Sequence, residues 1–174
     1  SVGSGSFIPH LIKKYRDKNV TLDLIDIDKD TIQLLKILIK KLSIPKNFKI
    51  NFIHCDYLNF KVNKKYDLIL TNPPFGKICE NEISSQSELL KDRINTKNMF
   101  ALFLYKSCQE ANHVAYITPK SLLNAPEFNQ LRSVLEKLVL RSLHDYGEKA
   151  FKGVLIETIS IQLAIKKQSN KKVY

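Results

Sequence analysis

Asn72-Pro73-Pro74-Phe75 is the stretch of this chain best equipped for chemistry. Two prolines fix the backbone and remove two donors, leaving their carbonyls and that of Thr71 as acceptors. Asn72 adds a side-chain amide and Phe75 a flat apolar face. This kit suits a planar group that carries an NH2, such as a nucleobase amine. Such an amine is a poor nucleophile because its lone pair is delocalised into the ring. Two acceptors, the Asn72 side-chain oxygen and a proline carbonyl, hold its two hydrogens and favour a more pyramidal nitrogen. An aromatic ring holds the base by stacking, worth about 1–3 kcal/mol per base. The plain alternative is a tight turn in an α/β domain.

A second constellation lies nearer the amino terminus. Ser1-Val2-Gly3-Ser4-Gly5-Ser6-Phe7 precedes an apolar-periodic segment with Ile8, Leu11, Ile12 and Tyr15 on one face. Glycines ahead of a helix let a ligand approach the backbone closely. The helix start offers N–H groups to a carboxylate or phosphate. Asp26 follows Gly5 by 21 residues, at the end of Thr21-Leu22-Asp23-Leu24-Ile25. An acid at that distance is where a nucleoside ribose expects an acceptor. Glycine turn, acid and Asn-Pro-Pro-Phe in this order form a stronger signal than any one of them.

With these residues in place the chain resembles the class I S-adenosylmethionine-dependent methyltransferases, specifically the adenine-N6 DNA methyltransferases of restriction–modification systems. Residues 1–7 resemble the end of their first motif, and Asp26-Ile27-Asp28 their second, whose acid grips the ribose hydroxyls. Cys55-Asp56-Tyr57 is similar to the third, in which the aspartate meets the adenine amine of the cofactor. Asn72-Pro73-Pro74-Phe75 is similar to the fourth, the catalytic one. Val114-Ala115-Tyr116-Ile117-Thr118-Pro119 is similar to the next strand. The resemblance implies a Rossmann-like α/β fold with a mostly parallel sheet, helices on both faces and an antiparallel last strand. It implies S-adenosylmethionine held by Gly3, Gly5, Phe7, Asp26, Ile27, Asp56 and Tyr57, a catalytic turn of Asn72, Pro73, Pro74 and Phe75, and a flipped base against Phe75 and Phe151. It implies DNA as partner, and beside it a missing N-terminal part, a target-recognition domain or a cognate nuclease, with no membrane. The family's first motif ends a central strand, and the sequence opens at Ser1 within that motif. The expectation is therefore a single partial catalytic domain over 1–174, with the first strand missing and the strands around Asp26 and Asp67 left with unpaired edges.

Helix and strand signals alternate in the way these motifs require. Strands are expected at 20–26, 49–54, 66–71, 113–118, 139–145 and 158–166. Helices are expected at 7–18, at 30–42 with Ile32, Leu35, Ile39 and Leu42 on one face, at 98–111 with Phe100, Phe103 and Leu104 inward, and at 126–138. Alternation of this kind argues for a parallel sheet covered on both faces. The last two strands have no helix between them and read as antiparallel. Residues 76–97 form a long polar stretch, expected to be a loop beside the catalytic turn.

Composition narrows the class. The 174 residues suffice for a buried core, and 44% apolar with 26% charged residues is the balance of a globular protein. No run approaches the ~20 apolar residues that span a bilayer. Cys55, Cys79 and Cys108 form no Cys-x-x-Cys pair, so neither a zinc site nor a disulfide framework is expected, and they fit a reducing, cytoplasmic setting. The net charge of +11 invites phosphate contacts. Of the 28 basic residues only Arg16, Arg93, Arg132 and Arg141 are arginines, and a lysine excess is also what an AT-rich genome produces. His10, His54, His113 and His144 show no ligand or triad spacing and read as structural. Two other functions remain open for the same turn: methylation of rRNA or of a release-factor glutamine, and a non-catalytic fragment. Phe75, where a tyrosine is also usual, and the residues around Pro119 favour DNA.

Overall fold

A computed structural model describes residues 1–79, 85–148 and 156–165, residues 85–89 by their backbone alone. The chain forms two compact units, Ser1–Phe60 and Lys61–Tyr174.

The first unit is built on two parallel strands, β1 (Val20–Asp26) and β2 (Phe48–His54), with helices α1 (Ile8–Lys14) and α2 (Lys29–Lys40). The register runs from Val20 beside Phe48 to Asp26 beside His54, so these last two residues end their strands as neighbours. Asp28 starts α2 as its N-cap. It accepts from the Asp30 N–H at 2.9 Å and the Thr31 hydroxyl at 2.7 Å, satisfying donors that a helix start leaves open. Ile32, Leu35 and Ile39 then fall on the inner face. Leu35 and Ile39 join Ile8 and Leu24 in the core. Two expectations need correction. Leu42 lies past the end of α2 and is exposed, because the chain leaves the helix on its way to Pro45. Helix α1 stops at Lys14 rather than at residue 18, since Arg16 to Asn19 offer nothing apolar to bury.

The second unit is built on a four-stranded sheet. Its elements are β3 (Tyr66–Thr71), α3 (Ser85–Ile94), α4 (Met99–Glu110), β4 (Ala111–Pro119), α5 (Asn129–Leu135), β5 (Val139–Gly147) and β6 (Thr158–Ala164). The strand order is β3-β4-β6-β5. β3 and β4 are parallel, and β6 is antiparallel to both of its neighbours, as expected from a sequence with no helical signal between the last two strands. The carboxyl ends of β3, β4 and β5 and the start of β6 therefore share one edge. Helix α4 is apolar nearly all round and sits inside: Phe100, Ala101, Leu102 and Leu104 are almost wholly buried. The buried Lys106 ammonium meets Glu110 at 2.5 Å, and the Ser107 and Tyr116 hydroxyls meet at 2.8 Å. A buried charge or hydroxyl persists only with such a partner.

Residues 76–97 correct the expectation of a loop, for α3 occupies their second half. The stretch is closed at its base: Ile78 N–H donates to Lys97 O at 2.8 Å and Met99 N–H to Gly76 O at 2.9 Å. Ile94 at the end of α3 is fully buried and anchors it. The expected helix over 126–138 is shorter as well. Pro126–Phe128 form a 3₁₀ turn and the α-helix spans only Asn129–Leu135. Among the described residues β1 pairs only with β2, and β3 only with β4. Among the described residues no helix is long and apolar enough to cross a membrane.

Candidate functional site

In the first unit the residues singled out from sequence gather at the carboxyl ends of β1 and β2. Gly3 and Gly5 both adopt positive φ, 54° and 75°, the left-handed backbone that glycine alone takes without strain. Their surroundings differ. A Cβ on Gly5 would stand 2.6 Å from Leu35 and 2.8 Å from Ile8, so Gly5 is there for packing. A Cβ on Gly3 would meet nothing within 4 Å, so the backbone at Gly3 is open to a ligand. Asp26 is buried at 7% exposure and holds this turn. Its Oδ2 accepts from the Val2 N–H at 2.9 Å and the Gly3 N–H at 3.0 Å, while Oδ1 accepts from the Asp28 N–H at 3.1 Å. Oδ2 is thus filled, and Oδ1 keeps one lone pair. Next to it Ile27 is 66% exposed, a large apolar side chain turned to solvent. Phe7 is half-buried where α1 begins.

Asp56 follows β2. Its Oδ1 accepts from the Leu58 N–H at 3.0 Å and its Oδ2 from the Asn59 amide at 2.6 Å, which fixes the carboxylate in the turn. Tyr57 is buried. Asp28 titrates below the usual carboxylate range, chiefly through the Thr31 hydroxyl and then the Asp30 N–H. The set in this unit, an acid with an acceptor site, an exposed apolar wall and an open glycine backbone, fits an adenosine group.

In the second unit Asn72-Pro73-Pro74-Phe75 leaves the carboxyl end of β3, at the edge shared with Pro119 and Gly147. Pro73 is buried. The Asn72 residue makes other contacts, while its Oδ1 atom is buried with no hydrogen bond donated to it within the protein. Phe75 is half-buried, its ring edge-on to Phe100 at 6.2 Å and 77°. Phe100 leans on Phe128 at 5.0 Å, so the turn rests on an aromatic stack in the core. At the same edge Lys120 meets Asp145 at 2.9 Å and Glu157 at 3.2 Å, which raises the lysine pKa and depresses that of Asp145. Burial pushes the Cys108 thiol up to about 12, so it stays a protonated core group. Phe151, expected against the target base, lies outside the described residues. His54, read from sequence as structural, ends β2 in register with Asp26 and reaches the Ile27 carbonyl at 2.9 Å.

The fold is that of the class I S-adenosylmethionine-dependent methyltransferases. A Listeria monocytogenes protein assigned to that class matches with a TM-score of 0.77 at 14% identity, over 99% of this chain and 54% of its own. The sequence model of the Eco57I restriction-modification methylases matches residues 7–151, and the chain belongs to that family. It is 26% identical over 168 residues to the type II methyltransferase M.VspI of Vibrio sp. (strain 343), covering 92% of this chain and 40% of that protein. It is 28% identical over 151 residues to the type II methyltransferase M.PstI of Providencia stuartii, covering 78% and 29%. The chain thus spans less than half the length of either relative.

Proposed function

We propose that this chain binds S-adenosylmethionine with its first unit and, through Asn72-Pro73-Pro74-Phe75, transfers a methyl group to the N6 amine of adenine in DNA, as part of a restriction–modification system. The observation that carries the reading is the placement of this turn at the carboxyl end of β3, in a chain of the Eco57I family. The cofactor supplies an electrophilic methyl group on a sulfonium. Asp26 offers the remaining lone pair of Oδ1 to a ribose hydroxyl. Ile27 lies against the adenine ring, the Gly3 backbone admits the amino-acid end, and Asp56 with Tyr57 flanks the adenine amine.

The target adenine leaves the helix, as enzymes that act on a base require. The Phe75 ring stacks on it, with Phe151 as a second face. Asn72 Oδ1 and the Pro73 carbonyl accept the two amine hydrogens. That contact localises the lone pair on nitrogen for in-line attack. With the cofactor bound, the amine nitrogen would take its methyl group, with the thioether as leaving group, and would then lose its proton to solvent. No side chain has to remove it beforehand. Choice of the DNA sequence falls to a target-recognition region or partner subunit.

The test is transfer of a tritiated methyl group to DNA, with the product base identified after digestion. Asn72→Ala is expected to lower transfer about 10²–10³-fold, as loss of a transition-state contact does, with cofactor affinity unchanged. Robust transfer by Asn72→Ala, or label on DNA that lacks the adenine amine, rules the mechanism out.

A further inference from the structure

The Asp26–Asp28 turn is tied to the end of β2 at two successive carbonyls. Cys55 N–H donates to the Asp26 carbonyl at 2.9 Å. His54 Nε2 lies 2.9 Å from the Ile27 carbonyl oxygen. A carbonyl only accepts, so Nε2 carries the hydrogen and donates. From the other side the Asp28 N–H is held by Asp26 Oδ1, and Asp28 is engaged as the cap of α2. A surface residue on a turn ordinarily samples several backbone settings. Here the backbone of Ile27 is pinned before, at and after the residue, while its side chain is left 66% exposed.

An exposed isoleucine held this firmly is a preset wall. We infer that His54 is a positioning residue for the cofactor: by donating to the Ile27 carbonyl it fixes the isoleucine side chain as the apolar face on which the adenine ring lies. This rests on the reading that the first unit binds S-adenosylmethionine. His54 touches no reacting atom, so it acts on how tightly the cofactor is held and leaves the transfer step alone. The neutral Nε2–H tautomer and the imidazolium both donate, so the role holds in either charge state.

Calorimetric titration of S-adenosylhomocysteine into the intact protein tests this with three variants. Glutamine at position 54 places an amide nitrogen about where Nε2 stands; asparagine places one nearer Nδ1. His54→Ala and His54→Asn are expected to weaken binding by about three- to tenfold, and His54→Gln by no more than about twofold. In steady-state transfer the KM for the cofactor rises in His54→Ala and kcat at saturation holds. In the absence of any ligand, amide hydrogen exchange at residues 27–29 is faster in His54→Ala and returns in His54→Gln. Equal affinity in all four proteins, or a loss in His54→Gln as large as in His54→Ala, overturns the positioning role while the cofactor reading stands. A folded wild-type protein that binds no S-adenosylhomocysteine overturns both.

Discussion

The Val2–Gly5 turn of the first unit is held by hydrogen bonds that converge on the Asp26 carboxylate, whereas the Asn72–Phe75 turn of the second is held by two proline rings and by a phenylalanine packed on Phe100. One turn depends on a charge borrowed from another strand. The other carries its stiffness in its own covalent structure. The difference matches the tasks proposed for them. A backbone that admits a cofactor must leave space beside it, as at Gly3, and here a side chain from elsewhere holds it in place. A turn that presents two acceptors at fixed spacing does best with a backbone that has little freedom to lose.

Substitutions break the comparison in graded steps. Gly5→Ala should be the most damaging to stability. It combines a positive φ with a Cβ at 2.6 Å from Leu35, and a loss of about 3–5 kcal/mol in denaturant unfolding is expected. Gly3→Ala has the same kind of φ and open space around it, so its loss should stay near 1–2 kcal/mol. Equal losses in the two variants would show that packing under Gly5 is not what distinguishes them.

Asp26→Ala strands three backbone donors and should destabilise the protein by about 2–4 kcal/mol. Cofactor affinity should fall with it, since the same carboxylate serves both. Unchanged exchange of the Val2 and Gly3 amides in this variant would remove the clasp. Phe75→Ala should cost about 1–3 kcal/mol, because the half-buried ring leaves a gap against Phe100. Phe75→Tyr keeps the packing and should leave both stability and transfer near wild type.

The smallest effect concerns pH. The carboxyl of Asp28 titrates below its unfolded value, so it binds its proton less readily when folded. Its contribution to α2 is therefore present above the ordinary carboxylate pKa of about 4, and is lost as pH falls through the depressed folded value. Asp28→Ala should lower the melting temperature slightly at pH 7 and flatten its acid dependence below pH 4. An unchanged acid profile would take the cap out of the account.

Much of this was legible in the residues. The strands at 20–26 and 66–71 stand as expected, because Val, Leu and Ile runs bounded by polar turns leave little choice of period. Both turns follow from glycine and proline chemistry. What escaped the sequence has physical reasons. Helix α3 is polar, and its buried anchor Ile94 comes only at its end, so no apolar face marks it out. Leu42 continues the α2 spacing past the point where the helix stops. That Asp26 is largely engaged by its own protein depends on a contact 23–24 residues away along the chain, which no local pattern records. The role inferred for His54 comes from the strand register that sets it beside Asp26. The faint signal for it was one histidine at the end of a strand, level with the acid of its neighbour.

The order β3-β4-β6-β5 has a consequence for biosynthesis. β6, which comes after β5 in the chain, lies inside the sheet between β4 and β5, and most of its residues are buried. A chain emerging from the ribosome completes β4 at Pro119 and β5 at Gly147 before Thr158 appears. Through that interval β4 has β3 on one side and an open edge on the other, and β5 has no strand to join. Such an edge is a template for another nascent chain. The sheet of the second unit is thus completed last in its interior, and chaperone capture during synthesis should fall off sharply once Thr158–Ala164 have left the tunnel.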